Sequence, residues 1–324
     1  MAASGAEHAI LDGLTGAVRL ADWGVIRARG EDAASFLQGQ LTNDLSGLGA
    51  SRALLAGYCS AKGRLLATFV VWRDEAGDFL LACSADLLPA TLKRLSMFVL
   101  RAKCKLSDVT AELPLWGLAG EPALAALAAP DPAPPHQAWV VGATAGGGQA
   151  ISLPVAKVGE HAVPRLLLAA GEAPAELRSL DASTWRWLEV KSGMARIVAA
   201  TVEQFVPQMV NLDLVGGVSF QKGCYPGQEV VARSHYRGTL KRRAFVLSGI
   251  ETPQPGQEVF DEADPGQPAG MVVLGGAHAG AHAGLVELKI AASAGGALRL
   301  GSADGPPLVL DALPYALPEP GPAP

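Results

Sequence analysis

Cysteine is scarce in this sequence, and its four cysteines lie far apart. Cys59, Cys83, Cys104 and Cys224 form no C-x-x-C motif and no cysteine–histidine spacing typical of a zinc or iron–sulfur site. We therefore expect no metal site within the chain. Four cysteines in 324 residues also differ from the dense pattern of small secreted domains that disulfides hold together.

The sequence also lacks an excess of positive charge and a long apolar run. Its 26 Lys and Arg residues against 31 Asp and Glu residues give a formal net charge of −5, so we expect no direct nucleic-acid binding. The longest apolar runs, such as residues 65–72, are too short to span a bilayer. Residues 1–9 lack the basic and apolar pattern of a secretory signal. These absences predict a cytoplasmic protein that does not enter membranes.

Enough apolar sequence is present for more than one folded unit. Hydrophobic residues make up 49% of the chain, and 324 residues exceed what a single core usually supports. Residues 10–238 mix helical and strand patterns, which predicts an α+β region of two subdomains with a linker near residues 128–150. Residues 239–318 alternate short strand patterns with Gly/Pro turns, which predicts a small antiparallel β-barrel. The Pro-rich residues 319–324 are predicted to be a disordered tail.

Several local patterns predict how the chain runs near any site. Residues 16–30 are predicted to form one strand, and Asp86 is predicted to cap a helix that follows it. Residues 195–221 have no sustained period, which predicts a long loop. Residues 275–284 are rich in Gly and Ala and are predicted to form the tip of a hairpin.

The most informative segment is QKGCYPGQEVVAR, at residues 221–233. Gly223 and Gly227 permit backbone conformations that other residues resist. Proline suits the first position of a helix, so Pro226 is predicted to open a helix whose helical pattern runs from Gln228 onward. The cysteine of this segment is therefore expected just before the N-terminus of a helix.

Two neighbours of Cys224 favour its thiolate form. The N-terminal end of the predicted helix carries partial positive charge, and the ammonium of Lys222 lies two residues upstream. We therefore predict that Cys224 is the reactive thiol, whereas Cys59, Cys83 and Cys104 lie in strand-like segments and are expected to be buried. The alternative, that Cys224 is a small buried residue in a tight turn, does not explain the flanking glycines.

Residues 222–229 resemble the K-G-C-Y-x-G-Q-E signature of the YgfZ family, bacterial relatives of a mitochondrial iron–sulfur assembly factor. The resemblance extends over nearly the whole chain, through residues 36–44, 61–64, 203–220 and 313–315. It implies a fold similar to that of the glycine-cleavage T-protein, in the α+β class. Such a fold has a body of intertwined α+β subdomains, a C-terminal antiparallel β-barrel and a central opening that binds a folate.

The resemblance also implies a function. A tetrahydrofolate derivative, which can be polyglutamylated, is the implied cofactor. The implied role is the assembly or repair of iron–sulfur clusters, including those of tRNA-methylthiolating enzymes. Iron–sulfur enzymes or assembly proteins are then the expected partners.

Individual site residues follow from the same resemblance. Trp23 and Trp185 match positions where the family places tryptophans against the folate, and a flat pterin gains from stacking on an indole. The alternative is that both are core aromatic residues. Lys222 is predicted to act with Cys224 in catalysis. The further implied folate contacts are Tyr225, Gln228, Glu229 and Arg233.

A dense basic segment follows the motif, at residues 233–243. It contains Arg233, Arg237, Lys241, Arg242 and Arg243. Guanidinium and ammonium groups bind carboxylates and phosphates, so we predict that this segment holds folate glutamates or a partner's phosphates. The alternative is a solvated surface without a ligand.

The sequence departs from T-protein enzymes at one position that matters for catalysis. T-proteins carry an acidic pair in a hairpin strand, where this chain has Ala67 and Thr68. Neither side chain titrates, so ordinary aminomethyl transfer is not expected. Two hypotheses remain: a folate-dependent accessory factor whose Cys224 handles sulfur, a cluster or an oxidised partner, and a one-carbon transferase with Cys224 as nucleophile. A purely structural adaptor would require Cys224 to be dispensable.

Overall fold

Strands form most of the regular structure in this protein. The computed structural model describes residues 11, 13–121, 124, 138–144, 147–236 and 240–318. The predicted tail, Arg237 and most of the predicted linker lie outside these residues. The strands are β1 (Gly16–Arg19), β2 (Trp23–Arg29), β3 (Leu54–Cys59), β4 (Leu65–Arg73), β5 (Phe79–Ser84), β6 (Lys105–Asp108), β7 (Leu115–Ala119), β8 (Val141–Ala143), β9 (Gln149–Val158), β10 (His161–Ala169), β11 (Arg242–Gly249), β12 (Glu258–Asp261), β13 (Asp264–His278), β14 (Ala281–Lys289), β15 (Leu298–Leu300) and β16 (Pro307–Asp311).

Five α-helices accompany these strands in the described residues. They are α1 (Ala33–Gln38), α2 (Leu88–Val99), α3 (Ala182–Lys191), α4 (Gln228–Tyr236) and α5 (Ile290–Ser293). No helix of the described residues is both long and apolar enough to cross a membrane.

The N-terminal region contains two five-stranded antiparallel sheets. Their strand orders are β3-β4-β5-β2-β6 and β1-β7-β10-β9-β8. Helices α1 and α2 cover one face of the first sheet, where Leu37 and Leu95 pack with strand residues such as Phe69. The opposite face packs toward the second sheet and α3 in a core that includes Trp72 and Trp185. The first sheet therefore lies between a helical layer and the rest of the protein.

The prediction of one strand over residues 16–30 is wrong. The segment divides into β1, which pairs with β7, and β2, which pairs with β5 and β6 in the other sheet. A turn separates the two strands, with the backbone N–H of Trp23 donating to the carbonyl of Leu20 at 3.2 Å. The chain crosses between the two sheets at this turn, so the two subdomains are intertwined.

The C-terminal region confirms the predicted β-barrel. Six strands close in the order β11-β14-β13-β12-β15-β16, with antiparallel pairing throughout. The predicted hairpin tip at residues 275–284 is confirmed: β13 and β14 pair from Gly275 opposite Gly284 to His278 opposite Ala281, and residues 279 and 280 form the turn. Gly275 and Gly276 are glycines for another reason. A Cβ at Gly276 would collide with the backbone of α3, and one at Gly275 with the carbonyl of Pro253.

The long loop predicted at residues 195–221 is confirmed. Its only regular parts are two 3₁₀ turns, Ala199–Thr201 and Pro207–Val210. The predicted cap at Asp86 is wrong. Helix α2 begins at Leu88, and the Asp86 carboxylate instead accepts a hydrogen bond from the backbone N–H of Ala199 at 2.9 Å. Asp86 thus ties the long loop to the end of the first sheet.

Candidate functional site

The cysteine segment rests on the hairpin turn between β3 and β4. Gly227 has φ of +79°, and a Cβ there would lie 2.5 Å from the Ser60 carbonyl oxygen and 2.6 Å from the Cα of Gly63. Only a glycine fits this contact. Helix α4 begins at Gln228, so Pro226 lies in the turn before the helix and does not open it as predicted. Two segments that resemble the same family, residues 61–64 and 222–229, thus meet in space.

Lys222 anchors this segment to helix α1. Its side chain is 7% exposed, and its Nζ donates hydrogen bonds to the carbonyls of Gln38 and Leu41, the latter at 2.6 Å. Nζ also lies 5.0 Å from the centre of the Tyr225 ring. Burial lowers the pKa of Lys222 to about 8. A cation at the carbonyl end of a helix is favourable, so Lys222 fixes the loop on α1, and its predicted catalytic role stays a prediction.

The four cysteines differ in their exposure. Cys224 is exposed, whereas Cys59 and Cys83 are buried, and burial raises the pKa of each of these two thiols to about 12. The predicted burial of Cys104 is wrong: this residue is half-buried, because it lies in the turn before β6 and not in a strand. Cys224 is thus the most accessible of the four thiols.

The other predicted residues of the motif remain near Cys224. Tyr225 is buried, and burial raises the pKa of its hydroxyl. Gln228 donates from Nε2 to the carbonyl of Lys222 at 3.4 Å, while Glu229 and Arg233 are exposed on α4. None of them lines the large cavity described next. Their folate contacts stay predictions.

A cavity of about 820 Å³ lies where the first sheet, helix α3 and the barrel meet. The first sheet and the segments next to it contribute Asp22, Ser84 and Asp86. The helix and the loop after it contribute Ser183, Arg186, Glu189 and Arg196, and the barrel contributes Thr252, Gln254 and residues 274–277.

Arg196 is the centre of a buried polar network in the cavity wall. Its Nε and Nη2 donate to the two carboxylate oxygens of Glu189, each at 3.0 Å, and Nη2 also donates to Asp22 at 3.1 Å. Its Nη1 donates to the Ser84 hydroxyl at 2.9 Å. Burial acts to raise the pKa of Asp22, but the charges of Arg196 and Arg186 outweigh it and hold that pKa below its ordinary value. Asp22 therefore presents a carboxylate to the cavity.

The two predicted folate tryptophans lie in the core beside this network. Trp23 is 3% exposed and Trp185 is 1% exposed, and neither lines the cavity. Arg196 covers one face of Trp23, with its guanidinium carbon 4.9 Å from the ring centre, and Arg165 lies 5.3 Å from the ring of Trp185. Both indole N–H groups are buried and have no acceptor among the described residues. A folate held between the two rings stays a prediction.

Internal ion pairs occupy part of the predicted basic segment, which corrects that prediction. Arg243 is buried and forms a two-pronged pair with Asp213, at 2.6 and 3.0 Å. Arg242 donates from Nη1 to both carboxylate oxygens of Glu287, at 2.9 and 2.8 Å. Their partners come from distant positions in the chain, which the local charge density does not reveal. Arg233 and Lys241 remain as exposed cations and line a small cavity of about 330 Å³.

This chain resembles a set of curated bacterial proteins. No family model matches the chain. The tRNA-modifying protein YgfZ of Edwardsiella ictaluri is 36% identical over 251 residues, which cover 72% of this chain and 70% of that protein. The proteins of the same name from Klebsiella pneumoniae and Escherichia coli are 34% and 32% identical, each with 74% of both chains covered. The chain belongs to the YgfZ family.

The fold of this YgfZ-family chain is that of the glycine-cleavage T-protein. The aminomethyltransferase T of the Bartonella henselae glycine cleavage system superimposes with a TM-score of 0.65 at 17% identity, over 96% of this chain and 89% of the other. The predicted fold class is therefore confirmed. Within it, Ala67 is buried, and the Thr68 hydroxyl accepts a hydrogen bond from the backbone N–H of Ile197 at 3.1 Å.

Proposed function

We propose that this protein binds a reduced folate in the large cavity and serves iron–sulfur enzymes through the thiol of Cys224. The served enzymes include those that methylthiolate tRNA, in keeping with the name tRNA-modifying protein that the curated relatives carry. The observation that carries the proposal is the cavity itself, with its buried Arg196 network beside Trp23. The contact with tRNA metabolism is indirect, through protein partners in the cytoplasm.

The residues of the cavity fit a folate. Its volume of about 820 Å³ is ample for a ligand of that size. The pterin ring donates hydrogen bonds through its amino group, and the side chain of Asp22, which is 35% exposed, offers an acceptor. The glutamate end of a folate is anionic, and Arg186, whose Nε pairs with Asp22 at 3.3 Å, offers a half-exposed guanidinium in the same wall.

Cys224 supplies the chemistry of the proposal. Its exposed thiol lies on a loop that Lys222 and Gly227 fix to the first sheet, so it is presented to a partner without being buried by the fold. A thiolate in this setting can attack the outer sulfur of a partner's persulfide, taking that sulfur as its own persulfide and releasing the partner's thiolate. It can attack a partner's disulfide, forming a mixed disulfide and releasing the other thiolate, or it can ligate an iron of a cluster in transit. All three reactions use the thiolate.

The alternative function is a folate-dependent one-carbon transferase of the aminomethyl type, with Cys224 as nucleophile. The T-protein fold favours it. Against it, neither buried Ala67 nor Thr68 can accept or donate a proton where T-proteins hold an acidic pair, and the Thr68 hydroxyl is occupied by a backbone N–H. The accessory role is therefore the better supported of the two.

Titration with reduced folates tests the proposed binding site. Asp22→Asn removes a charged acceptor, which is worth about 1.5–3 kcal/mol, so affinity should fall about tenfold or more. Asp304→Asn, on an exposed turn of the barrel, is the matched control and should bind as the wild type does. Unchanged affinity in Asp22→Asn, or no folate binding by the wild type, would contradict the site.

The predicted tryptophan contacts have a test of their own. If folate lies against Trp23 and Trp185, each Ala variant should lose about 0.5–1.5 kcal/mol of aromatic preference in addition to apolar contact. Quenching of tryptophan fluorescence by folate should weaken to match. Equal affinity in a well-folded double variant would remove both residues from the site.

A further inference from the structure

The end of helix α2 exposes apolar side chains that the fold does not use. Met97, Phe98 and Leu100 are 58%, 44% and 86% exposed, and they stand within four consecutive residues. The inward face of α2 is already buried, through Leu88 and Leu95. Three exposed large apolar side chains in one place are unusual on a water-facing surface, and such patches mark interaction sites.

The backbone at Leu100 adds an independent observation. Leu100, directly after α2, has φ of +46° and ψ of −104°, a combination outside the left-handed helical region that residues with a Cβ rarely adopt. Its side chain contributes little to the core because most of it faces water. A strained, exposed leucine therefore stabilises neither the helix nor the core, which indicates a contact outside this chain.

The charged residues around these exposed apolar side chains indicate the charge of the partner. No acidic residue stands between Asp86 and Asp108, although the whole chain has a net charge of −5. Lys93, Arg101 and Lys105 are exposed there and form no ion pair with any described residue. The two remaining cations of the stretch are already engaged: Lys103 pairs with Glu31 at 2.8 Å, and Arg94 lies over the ring of Phe98 at 5.9 Å.

This surface lies on the same layer as the cysteine loop. Arg94 of α2 interacts electrostatically with the buried Tyr58 of β3, and the backbone of Tyr58 pairs with Leu41. The carbonyl of Leu41 in turn accepts a hydrogen bond from Lys222, two residues before Cys224. Helices α1 and α2 cover the same face of the first sheet, and Lys222 holds the cysteine loop on α1.

We infer that the α2 surface, formed by Met97, Phe98 and Leu100 with Lys93, Arg101 and Lys105, docks an acidic protein segment with an apolar anchor. Its role as the docking site of a protein that Cys224 serves rests on the proposed function. A second copy of this chain is disfavoured, because two such cationic surfaces repel each other. A membrane is disfavoured as well, since an interfacial helix exposes an apolar face along its length and α2 does so only at its end.

The test uses two variants and one matched control. Phe98→Ser with Leu100→Gly removes the apolar anchor site, and Lys93→Glu with Arg101→Glu and Lys105→Glu reverses the charge. The control, Ile250→Ser with Val309→Ser, removes a similarly exposed apolar pair from the barrel. Because Leu100→Gly relieves a positive φ, the first variant should melt no earlier than the wild type.

The probe is a fluorescein-labelled acidic peptide of Glu and Asp with Leu and Phe at helical spacing, measured by fluorescence anisotropy. Wild type and control should bind it, and each α2 variant should bind it about tenfold more weakly. Added salt should weaken the wild-type complex. Equal binding by all four proteins, or no binding by the wild type, overturns the inference. So does tighter binding to phosphatidylserine vesicles, or dimerisation that the α2 variants abolish.

Rescue in cells separates this inference from the proposed function. In cells that lack the native gene, both α2 variants should bind folate and alkylate at Cys224 normally, yet restore iron–sulfur enzyme activity poorly. Full rescue by both would overturn the docking surface and leave the proposed function intact. Failure of the wild type to bind folate would instead overturn the proposed function, whereas the peptide-binding result would be unaffected.

Discussion

Gly227→Ala has a cost that follows directly from the structure. A Cβ at residue 227 would lie 2.5 Å from the Ser60 carbonyl oxygen and 2.6 Å from the Cα of Gly63, both backbone atoms that no rotamer change can move. A left-handed conformation costs a residue with a Cβ about 1–2 kcal/mol, and overpacking costs about 1–3 kcal/mol. We therefore expect the free energy of unfolding to fall by about 2–5 kcal/mol.

The same segment supplies the control. At Gly223 no atom lies within 4 Å of the position that a Cβ would take, and its φ is not positive, so Gly223→Ala should change stability by less than about 0.5 kcal/mol. Urea unfolding followed by circular dichroism measures both variants, and the alkylation rate of Cys224 reports whether the loop has moved. Equal stability of the two variants would refute the reasoning, because the contact with the hairpin turn would then not hold the loop.

Three further predictions follow from buried groups. Because burial lowers the pKa of Lys222 to about 8 from 10.5, the folded chain binds fewer protons than the unfolded chain between these values. The contribution of Lys222 to the free energy of unfolding should therefore rise with pH across that range. The urea midpoint of the wild type should rise with it, and Lys222→Met should abolish this rise. Glu189→Gln removes the carboxylate that neutralises the buried Arg196 guanidinium, so the free energy of unfolding should fall by about 3 kcal/mol in the same assay. A fall below about 0.5 kcal/mol would contradict the network. Iodoacetamide should alkylate Cys224 faster than Cys59 and Cys83, which mass spectrometry of the labelled protein measures. Faster labelling of Cys59 or Cys83 would contradict the placement of the reactive thiol.

Local signals sufficed for some parts of this structure. The barrel was predictable because Gly and Pro turns recur at short intervals between strands that alternate apolar and polar residues. The loop at residues 195–221 was predictable because no period persists there. The turn of the cysteine segment was predictable because Lys222, Cys224 and Gly227 lie within six consecutive residues and their types alone restrict the geometry.

Other parts depend on contacts between distant positions. Arg196 meets Asp22 across 174 residues and Ser84 across 112 residues, so no local pattern marks the cavity wall. The crossing between sheets near Trp23 is hidden because both β1 and β2 are apolar and no Gly or Pro separates them. Gly276 suggests a turn in the sequence, although close approach to α3 is what demands glycine there.

Iron–sulfur enzyme activity in cells that lack the native gene and carry Cys224→Ala tests the central claim most directly. The variant should accumulate and bind folate like the wild type, because the thiol is exposed and the loop is held by Lys222 and Gly227. It should nevertheless fail to restore the enzyme activity, whereas Cys104→Ala should restore it. Full restoration by Cys224→Ala would contradict the account, because the loop would then serve as a structural element without sulfur chemistry.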